Sequence, residues 1–405
     1  MNTKTNDLVN VSRLQKIMDE KGLDAMVATT MGNVYYFTGL MGEGLRGFPY
    51  DHQTYAVITR DEPLKPYFIT TQGLTNQALD AFAGLRGVAA YGRFFRPGPF
   101  LDVELNEDEK WLQKVAVEEI AHASALDALI FVLEKMGLND KKVGLDEINL
   151  AAGYFETLAE KLPNAKFEKA SETLRQIRKV KTPAEVERLR KVAHINETAI
   201  MSLLAIVKEG VTEEELAREY SRSVSSQGGV PQFTCLRVGR NGVMAEREPS
   251  RAQLKAGEPL FIDVGCEAHG YWADFGRTAC FGEPIPRLVE VYAAIRTSHL
   301  KAIELAKPGM TGGELFNLTI EEGRKAGLKH YERHHTGHGI GAELYESVLI
   351  APGVDDVIEE GTVVNHESPY YEFGLGGLIV EDPFVVRASG NEVLTTISNE
   401  LLVVK

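Results

Sequence analysis

The chain is poor in cysteine, has no long apolar run and carries a deficit of positive charge, and each shortage removes a class of function. Its three cysteines, Cys235, Cys266 and Cys280, are odd in number and lack C-x-x-C spacing, which excludes a disulfide framework and a thiolate zinc site. Cys266 and Cys280 are expected as small core residues. No stretch approaches the roughly 18 consecutive apolar residues of a membrane-spanning helix. The polar segment Met1–Asn10 lacks the apolar region of a signal peptide, so the cytoplasm is the expected location. With 58 acidic against 44 basic residues, the net charge is -14. Phosphate-rich partners would be repelled, which argues against nucleic acid and anionic membrane surfaces. No short-period repeat is visible, and 405 residues suffice for two domains that each bury a core.

What the last third of the chain does have is a set of acids in and beside short apolar runs. Leu260–Gly265 reads as a buried strand carrying Asp263, and Tyr271–Phe275 as a second strand carrying Asp274. Gly265 and Gly270 bracket the expected turn between them, so the hairpin brings the two aspartates together. Gly361–Glu367 and Gly377–Glu381 repeat the device with Glu367 and Glu381. Between the hairpins, His338 sits in Gly337-His338-Gly339-Ile340-Gly341, where small residues let the backbone approach closely. Four carboxylates and one imidazole form an oxygen-rich donor set. It suits two hard or borderline divalent ions, Mn²⁺ before Co²⁺, Zn²⁺ or Fe²⁺, because a single ion rarely needs four carboxylates. Such an ion pair activates water for hydrolysis at neutral pH.

The amino-terminal part alternates between periods. A helix over Val11–Gly22 leads to a strand at Ala25–Thr29; further strands are expected at Tyr55–Thr59, Pro66–Thr70 and Val143–Asp146, with an amphipathic helix over Ile120–Met136. This alternation predicts an α/β domain to about Ala170. Tyr91–Trp111 is irregular and reads equally as a surface loop or as a lid and partner contact. Thr182 before Pro183, and Thr212 with Glu215, mark two helix starts.

Five sets of residues then carry a family resemblance. Asp263-Val264-Gly265 through Gly270-Tyr271 to Asp274-Phe275-Gly276-Arg277-Thr278 resembles the first metal motif of the pita-bread metallohydrolases: prolidase, aminopeptidase P, methionine aminopeptidase and creatinase. Gly337–Gly341 resembles their histidine motif, and Gly377 through Glu381-Asp382 their last. Leu174–Glu185 is similar to the segment that opens the catalytic domain of the prolidase and creatinase branch. Arg13-Leu14, Gly22-Leu23-Asp24-Ala25 and Asn33–Gly39 are similar to the start of its amino-terminal domain. The resemblance implies an α/β (α+β) protein, a creatinase-like domain over 1–172 followed by a pita-bread catalytic domain over 173–405. It also implies a homodimer and a Xaa-Pro aminopeptidase- or dipeptidase-like metallohydrolase acting on a short peptide or small amide. By the same resemblance Asp263 would bind one ion, His338 and Glu367 the other, and Asp274 and Glu381 both. Glu367 would take the proton from the attacking water.

Departures from the family pattern concern substrate. Seven residues after His338, where the peptidases carry histidine, stands Tyr345, a hydrogen-bond donor but a poor base. Glu246 or Arg247 stands where another histidine is usual, and Ile379 where an arginine precedes the last glutamate. Weak activity on ordinary Xaa-Pro dipeptides is therefore expected, with the substrate neutral near this wall or held by Arg240 or Arg247. His334 keeps the family's spacing before His338 and is a candidate catalytic residue. His335 reads as a structural imidazole, His366 as pointing away from Glu367, and His269 as exposed at the hairpin tip. Gly42–Pro49 and Phe94–Phe100 are candidate pocket linings. A creatinase-type C–N hydrolase or lyase, and a non-catalytic binding protein, are the alternatives.

Overall fold

The computed structural model describes residues 6–41, 46–48, 52–81, 84–118 and 121–405. The chain divides into two compact units, Met1–Arg178 and Lys179–Lys405. In the first, strands β1 (Ala25–Ala28), β2 (Tyr55–Thr59), β3 (Tyr67–Thr71), β4 (Gly87–Tyr91), β5 (Lys142–Leu145) and β6 (Lys166–Lys169) form one mixed sheet. Its order is β4-β3-β2-β1-β5-β6, with β1–β2 and β2–β3 antiparallel and the other pairs parallel. Helix α1 (Val11–Lys21) stops at Gly22, whose positive φ of 65° closes the last turn. Helices α2 (Met31–Thr38), α3 (Glu107–Gln113), α4 (Ala125–Lys135), α5 (Tyr154–Lys161) and α6 (Ser171–Lys179) follow.

The core of this unit follows from the two periodicities. Val27, Val57, Ile69 and Val143 from the sheet meet Leu129, Val132 and Leu133, the i, i+3, i+4 face of α4. Burying each of these side chains contributes about 1.5–3 kcal/mol. The expected helix over Ile120–Met136 starts later, at Ala125, because the Ser124 side chain accepts from Asp127 N and caps it there; Ile120 lies outside the described residues. Of the stretch Tyr91–Trp111 expected to be irregular, residues 92–106 form no helix or strand, but α3 begins at Glu107, where the Asn106 side chain accepts from Glu109 N and caps it. Arg96 ties Phe94–Phe100 down by donating to the Gln72 and Gly73 carbonyls (3.1 and 2.9 Å), while Phe95 and Phe100 stay exposed. Most of Gly42–Pro49 also lies outside the described residues.

The second unit repeats a helix pair followed by antiparallel strands. Helices α7 (Pro183–Ala205) and α8 (Glu213–Ser226) pack together and precede β7 (Val230–Val238), β8 (Pro259–Ala268) and β9 (Tyr271–Phe281). Helices α9 (Pro286–Leu305) and α10 (Gly312–Lys325) likewise pack together. They precede β10 (Gly337–Gly339), β11 (Val363–Glu367), the hairpin β12 (Tyr370–Glu372) and β13 (Gly376–Leu378), β14 (Glu381–Val385) and β15 (Glu392–Val393). The sheets run β10-β11-β14-β15 and β16-β9-β8-β7, the latter closed by β16 (Leu402–Val404). Complete capping boxes, Thr182 with Glu185 and Thr212 with Glu215, fix the starts of α7 and α8. This internal repetition is not legible in the sequence.

Two expectations are corrected. Gly265 is no turn residue: β8 continues through Ala268, and the turn is His269-Gly270, with φ of 53° and 74°. Gly265 instead stands inside the strand opposite Asp274, where a Cβ would lie 2.2 Å from the Phe233 ring. Gly377–Glu381 is also not one strand. Gly376–Leu378 pairs with Tyr370–Glu372, and a new strand begins at Glu381. A hydrogen-bonded pair of its own competes with continuation, and Ile379 turns to exchange two bonds with the Thr278 hydroxyl (2.8 and 2.9 Å).

Candidate metal centre

Strand pairing explains how distant acids meet. In the β8–β9 hairpin Asp263 faces Gly276 and Gly265 faces Asp274, so the two aspartates are diagonal neighbours on one sheet face. In β11–β14, Glu367 faces Glu381 directly. His338 pairs with Asn365 of β11, and β9 packs against both β11 and β14. Glycine makes the approach at His338 feasible. A Cβ on Gly337 (φ 141°) would stand 2.3 Å from the Asn365 carbonyl oxygen, and one on Gly339 2.2 Å from that of Ser347. Both obstacles are backbone and cannot swing aside. Gly337→Ala should cost about 1–3 kcal/mol and lower Tm by roughly 2–12 °C, read by differential scanning calorimetry; an unchanged Tm would show the contact to be relaxed.

Asp274, His338 and Glu381 each offer a ligand atom, all within 4.8 Å of one another. His338 Nδ1 donates to the Gly339 carbonyl (2.9 Å), which leaves the lone pair on Nε2, 3.4 Å from Asp274 Oδ2. Asn365 Nδ2 donates to Glu381 Oε1 at 2.8 Å. The other oxygens, Asp274 Oδ1 and Glu381 Oε2, are buried and accept nothing from the described residues. Orphaned buried oxygens of this kind are rare in folded proteins and fit a cation. The electrostatics agree. Burial first, then Asp274, holds Asp263 far above the usual carboxylate range; burial, then Asp274 and Asp263, does the same to Glu381. Burial also raises Asp274 against the opposing pull of His338. Crowding among buried acids disfavours their charged forms, and divalent ions among them would remove that penalty.

Glu367 behaves differently because of a residue the sequence reading misassigned. His335 is not a backbone-bonded structural imidazole: its Nε2 lies 2.6 Å from Glu367 Oε1. Burial would raise Glu367, yet the hydrogen bond and charge of His335 outweigh it and bring the group below its ordinary value. His334, the candidate chosen by spacing, is exposed and lies edge-on against His335, ring centres 4.2 Å apart. It supports the imidazole that reaches Glu367. Segment 331–336 is irregular, so neither period 2 nor 3.6 tells which of two adjacent histidines points inward. Tyr345 stacks on His338, centroids 3.7 Å apart at 18°, and its hydroxyl stands 3.4 Å from His335 Nε2. Burial, then Glu367, pushes that phenol well above its ordinary value, which keeps it a donor. Ile379 is fully buried, Arg240 and Arg247 are exposed, and Glu246 is exposed but close enough to add to the rise at Asp263.

Behind the acids, alternation sends the neighbours of Glu367 and Glu381 to the other side, as expected for His366. His366 Nδ1 lies 2.9 Å from His299 Nδ1, and His299 Nε2 2.9 Å from Asp382 Oδ2. Arg277 Nη2 donates to Asp382 Oδ1 at 2.6 Å. Burial would raise Asp382, but the Arg277 charge and the His299 hydrogen bond hold it at about 2. His269 is exposed at the hairpin tip, and Cys266 and Cys280 are buried.

Similarity to known proteins bears on this arrangement. Residues 187–388 match the model of metallopeptidase family M24, and residues 10–180 that of the creatinase/prolidase N-terminal domain. A Xaa-Pro dipeptidase of Lactobacillus helveticus is 30% identical over 264 residues, spanning 64% of this chain and 72% of that protein. The chain belongs to metallopeptidase family M24. A Xaa-Pro dipeptidase of Lactobacillus delbrueckii subsp. lactis is 29% identical over 98% of this M24 chain and 99% of its own. The solved Xaa-Pro dipeptidase of Bacillus anthracis superposes with a TM-score of 0.77 at 25% identity, covering 97% and 99% of the two chains. This M24 protein is thus a metal-dependent hydrolase of peptide-type amide bonds, with a creatinase-like first domain and a pita-bread second one. Among its described residues, no helix is long and apolar enough to cross a membrane.

Proposed function

We propose that this chain is a dinuclear-metal hydrolase of an amide C–N bond in a short peptide or small amide metabolite, related to the Xaa-Pro peptidases but with a rebuilt recognition wall. One observation carries the reading: Asp274, Glu381 and His338 each bring a ligand atom within 4.8 Å of the others, and each of the two acids keeps a buried oxygen with no partner among the described residues. Asp263 would hold one ion, His338 and Glu367 the other, and Asp274 and Glu381 both, with Mn²⁺ the favoured occupant. When bound, the ions supply Lewis acidity that activates water and polarises the scissile carbonyl. Glu367 Oε1 takes up the proton lost by the attacking water, and His335 Nε2, 2.6 Å away, stabilises the acceptor's charge and can carry the proton onward. The Tyr345 hydroxyl, where the peptidases place an imidazole, donates to the oxygen that becomes negative in the transition state. A cytoplasmic homodimer is the assembly we expect.

Tyr345→Phe removes that donor while keeping the stack on His338, so kcat should fall by about a hundredfold with KM little changed. An unchanged kcat would remove Tyr345 from the chemistry. Substrate class is tested by screening Xaa-Pro dipeptides and N-acylated amino acids with Mn²⁺, Co²⁺ and Zn²⁺ in turn. Because Ile379 offers no fork to a carboxylate, ordinary Xaa-Pro dipeptides should stay below about 10⁴ M⁻¹s⁻¹ in kcat/KM. Values in the usual enzyme range would restore a plain prolidase. Hydrolysis of no amide under any of the three metals would overturn the reading.

A further inference from the structure

Site charge and substrate charge pose a problem that one guanidinium answers. Four acids and two divalent ions balance, so the centre itself offers an anionic substrate no net attraction, and the chain as a whole carries -14. Arg240 and Arg247 are exposed, and among the described residues the Arg247 guanidinium reaches only the Met244 sulfur, at 3.5 Å. Arg333 is placed differently. It precedes His334 and His335 on the segment that leads to His338, and its charge is close enough to Glu367 to help lower that carboxyl. The guanidinium carbon lies 5.1 Å from the centre of the Tyr371 ring, whose hydroxyl in turn feels Asp263 and Glu367. Its Nε is buried and has no hydrogen-bond partner, and among the described residues no carboxylate lies within ion-pair distance of it.

An arginine held on an aromatic face, half-buried and without an acid to bond, is a fork waiting for an anion. Tyr371 fixes the plane of the fork, and the planar donors then match a carboxylate in two parallel bonds. A structural counter-ion for the four acids would be expected to bond one of them, yet Glu367 is bonded by His335 and Glu381 by Asn365 instead. We propose that Arg333 is the specificity-determining residue that binds a carboxylate of the substrate, in place of the arginine that Ile379 replaces. This rests on the amide-hydrolase reading of the same site and adds to it that the substrate is an amide bearing a free carboxylate. The anchor sits on the Tyr371 side of the acids, so the separation between scissile bond and carboxylate differs from that set by an arginine at position 379.

The test compares acid and amide forms of two ligands, Ala-Pro with Ala-prolinamide and N-acetylalanine with N-acetylalaninamide, by calorimetric titration of the metal-loaded protein. The acid-to-amide affinity ratio is taken within each variant, so a general loss of fold or metal affects both ligands alike. In the wild type at least one acid should bind about tenfold or more tightly than its amide. The ratio should fall to about one in Arg333→Met and be partly retained in Arg333→Lys, which keeps the charge without the fork. A wild type that does not prefer either acid, or a preference that survives in Arg333→Met, overturns the proposal. Turnover is scored separately. If neither pair is hydrolysed while the ratio still depends on Arg333, the amide-hydrolase reading is in question and the anion site stands.

Discussion

Asp274→Asn and Glu381→Gln should each lower kcat/KM by a thousandfold or more, about 4 kcal/mol of transition-state stabilisation, and each variant should lose most of the stabilisation that metal gives the wild type. In the proposed assignment each substitution would remove one negative charge from between two cations, where screening is weakest. With metal stripped, the same substitution relieves crowding among acids that burial and mutual repulsion already drive far from their ordinary ionisation. The wild type should therefore gain strongly on adding metal. At a hundredfold excess over Kd, binding contributes about 2.7 kcal/mol, or a rise in Tm of roughly 5–11 °C for a unit of this size. In the variants this gain should largely vanish, while the chelated forms are no less stable than chelated wild type. Scanning calorimetry with and without 1,10-phenanthroline and Mn²⁺ distinguishes the cases, the metal and chelator concentrations being roughly tenfold and a hundredfold over protein. Equal metal-induced shifts and retained turnover in both variants would refute the ligand assignment.

The largest effect on stability should come from behind the centre. Arg277 and Asp382 are 1% and 2% exposed and bonded at 2.6 Å. Asp382→Ala leaves the buried Arg277 guanidinium without its countercharge, and breaking a buried pair from one side costs about 3–5 kcal/mol. Tm should drop by roughly 6–20 °C. The loss should also reach activity, because Asp382 follows Glu381 and faces His366, the neighbour of Glu367. Metal affinity should weaken by about 10–100-fold, the usual cost of losing a group that orients metal ligands. Arg277→Met with Asp382→Leu removes both charges and should recover part of the stability; no recovery would mean that Asp382 acts through His299 rather than through Arg277.

Much of this site is legible in the sequence because strand alternation and glycine speak directly to geometry. Asp263 and Asp274 were readable as one face of a hairpin, Glu367 and Glu381 as another, and His366 as turned away by period 2. The capping residues Thr182 and Thr212 announced their helices. What was not legible lacks a period. His335 and Arg333 lie in an irregular segment whose side-chain directions are set by packing on Glu367 and Tyr371, residues far away in sequence. Gly265 has the composition of a turn, yet its reason is the Phe233 ring standing where a Cβ would go. Gly377–Glu381 has the apolar pattern of one strand, but the β12–β13 hairpin captures its first residues. The stack of Tyr345 on His338 is likewise invisible, since a seven-residue separation implies nothing outside a helix.

Metal stoichiometry is the decisive measurement. Protein purified without chelators and analysed by inductively coupled plasma mass spectrometry should carry about two divalent ions per chain, and Asp274→Asn and Glu381→Gln should each carry fewer. A wild type that binds no metal even after equilibration with Mn²⁺, Co²⁺ or Zn²⁺ would contradict the assignment of Asp263, Asp274, His338, Glu367 and Glu381 as its ligands.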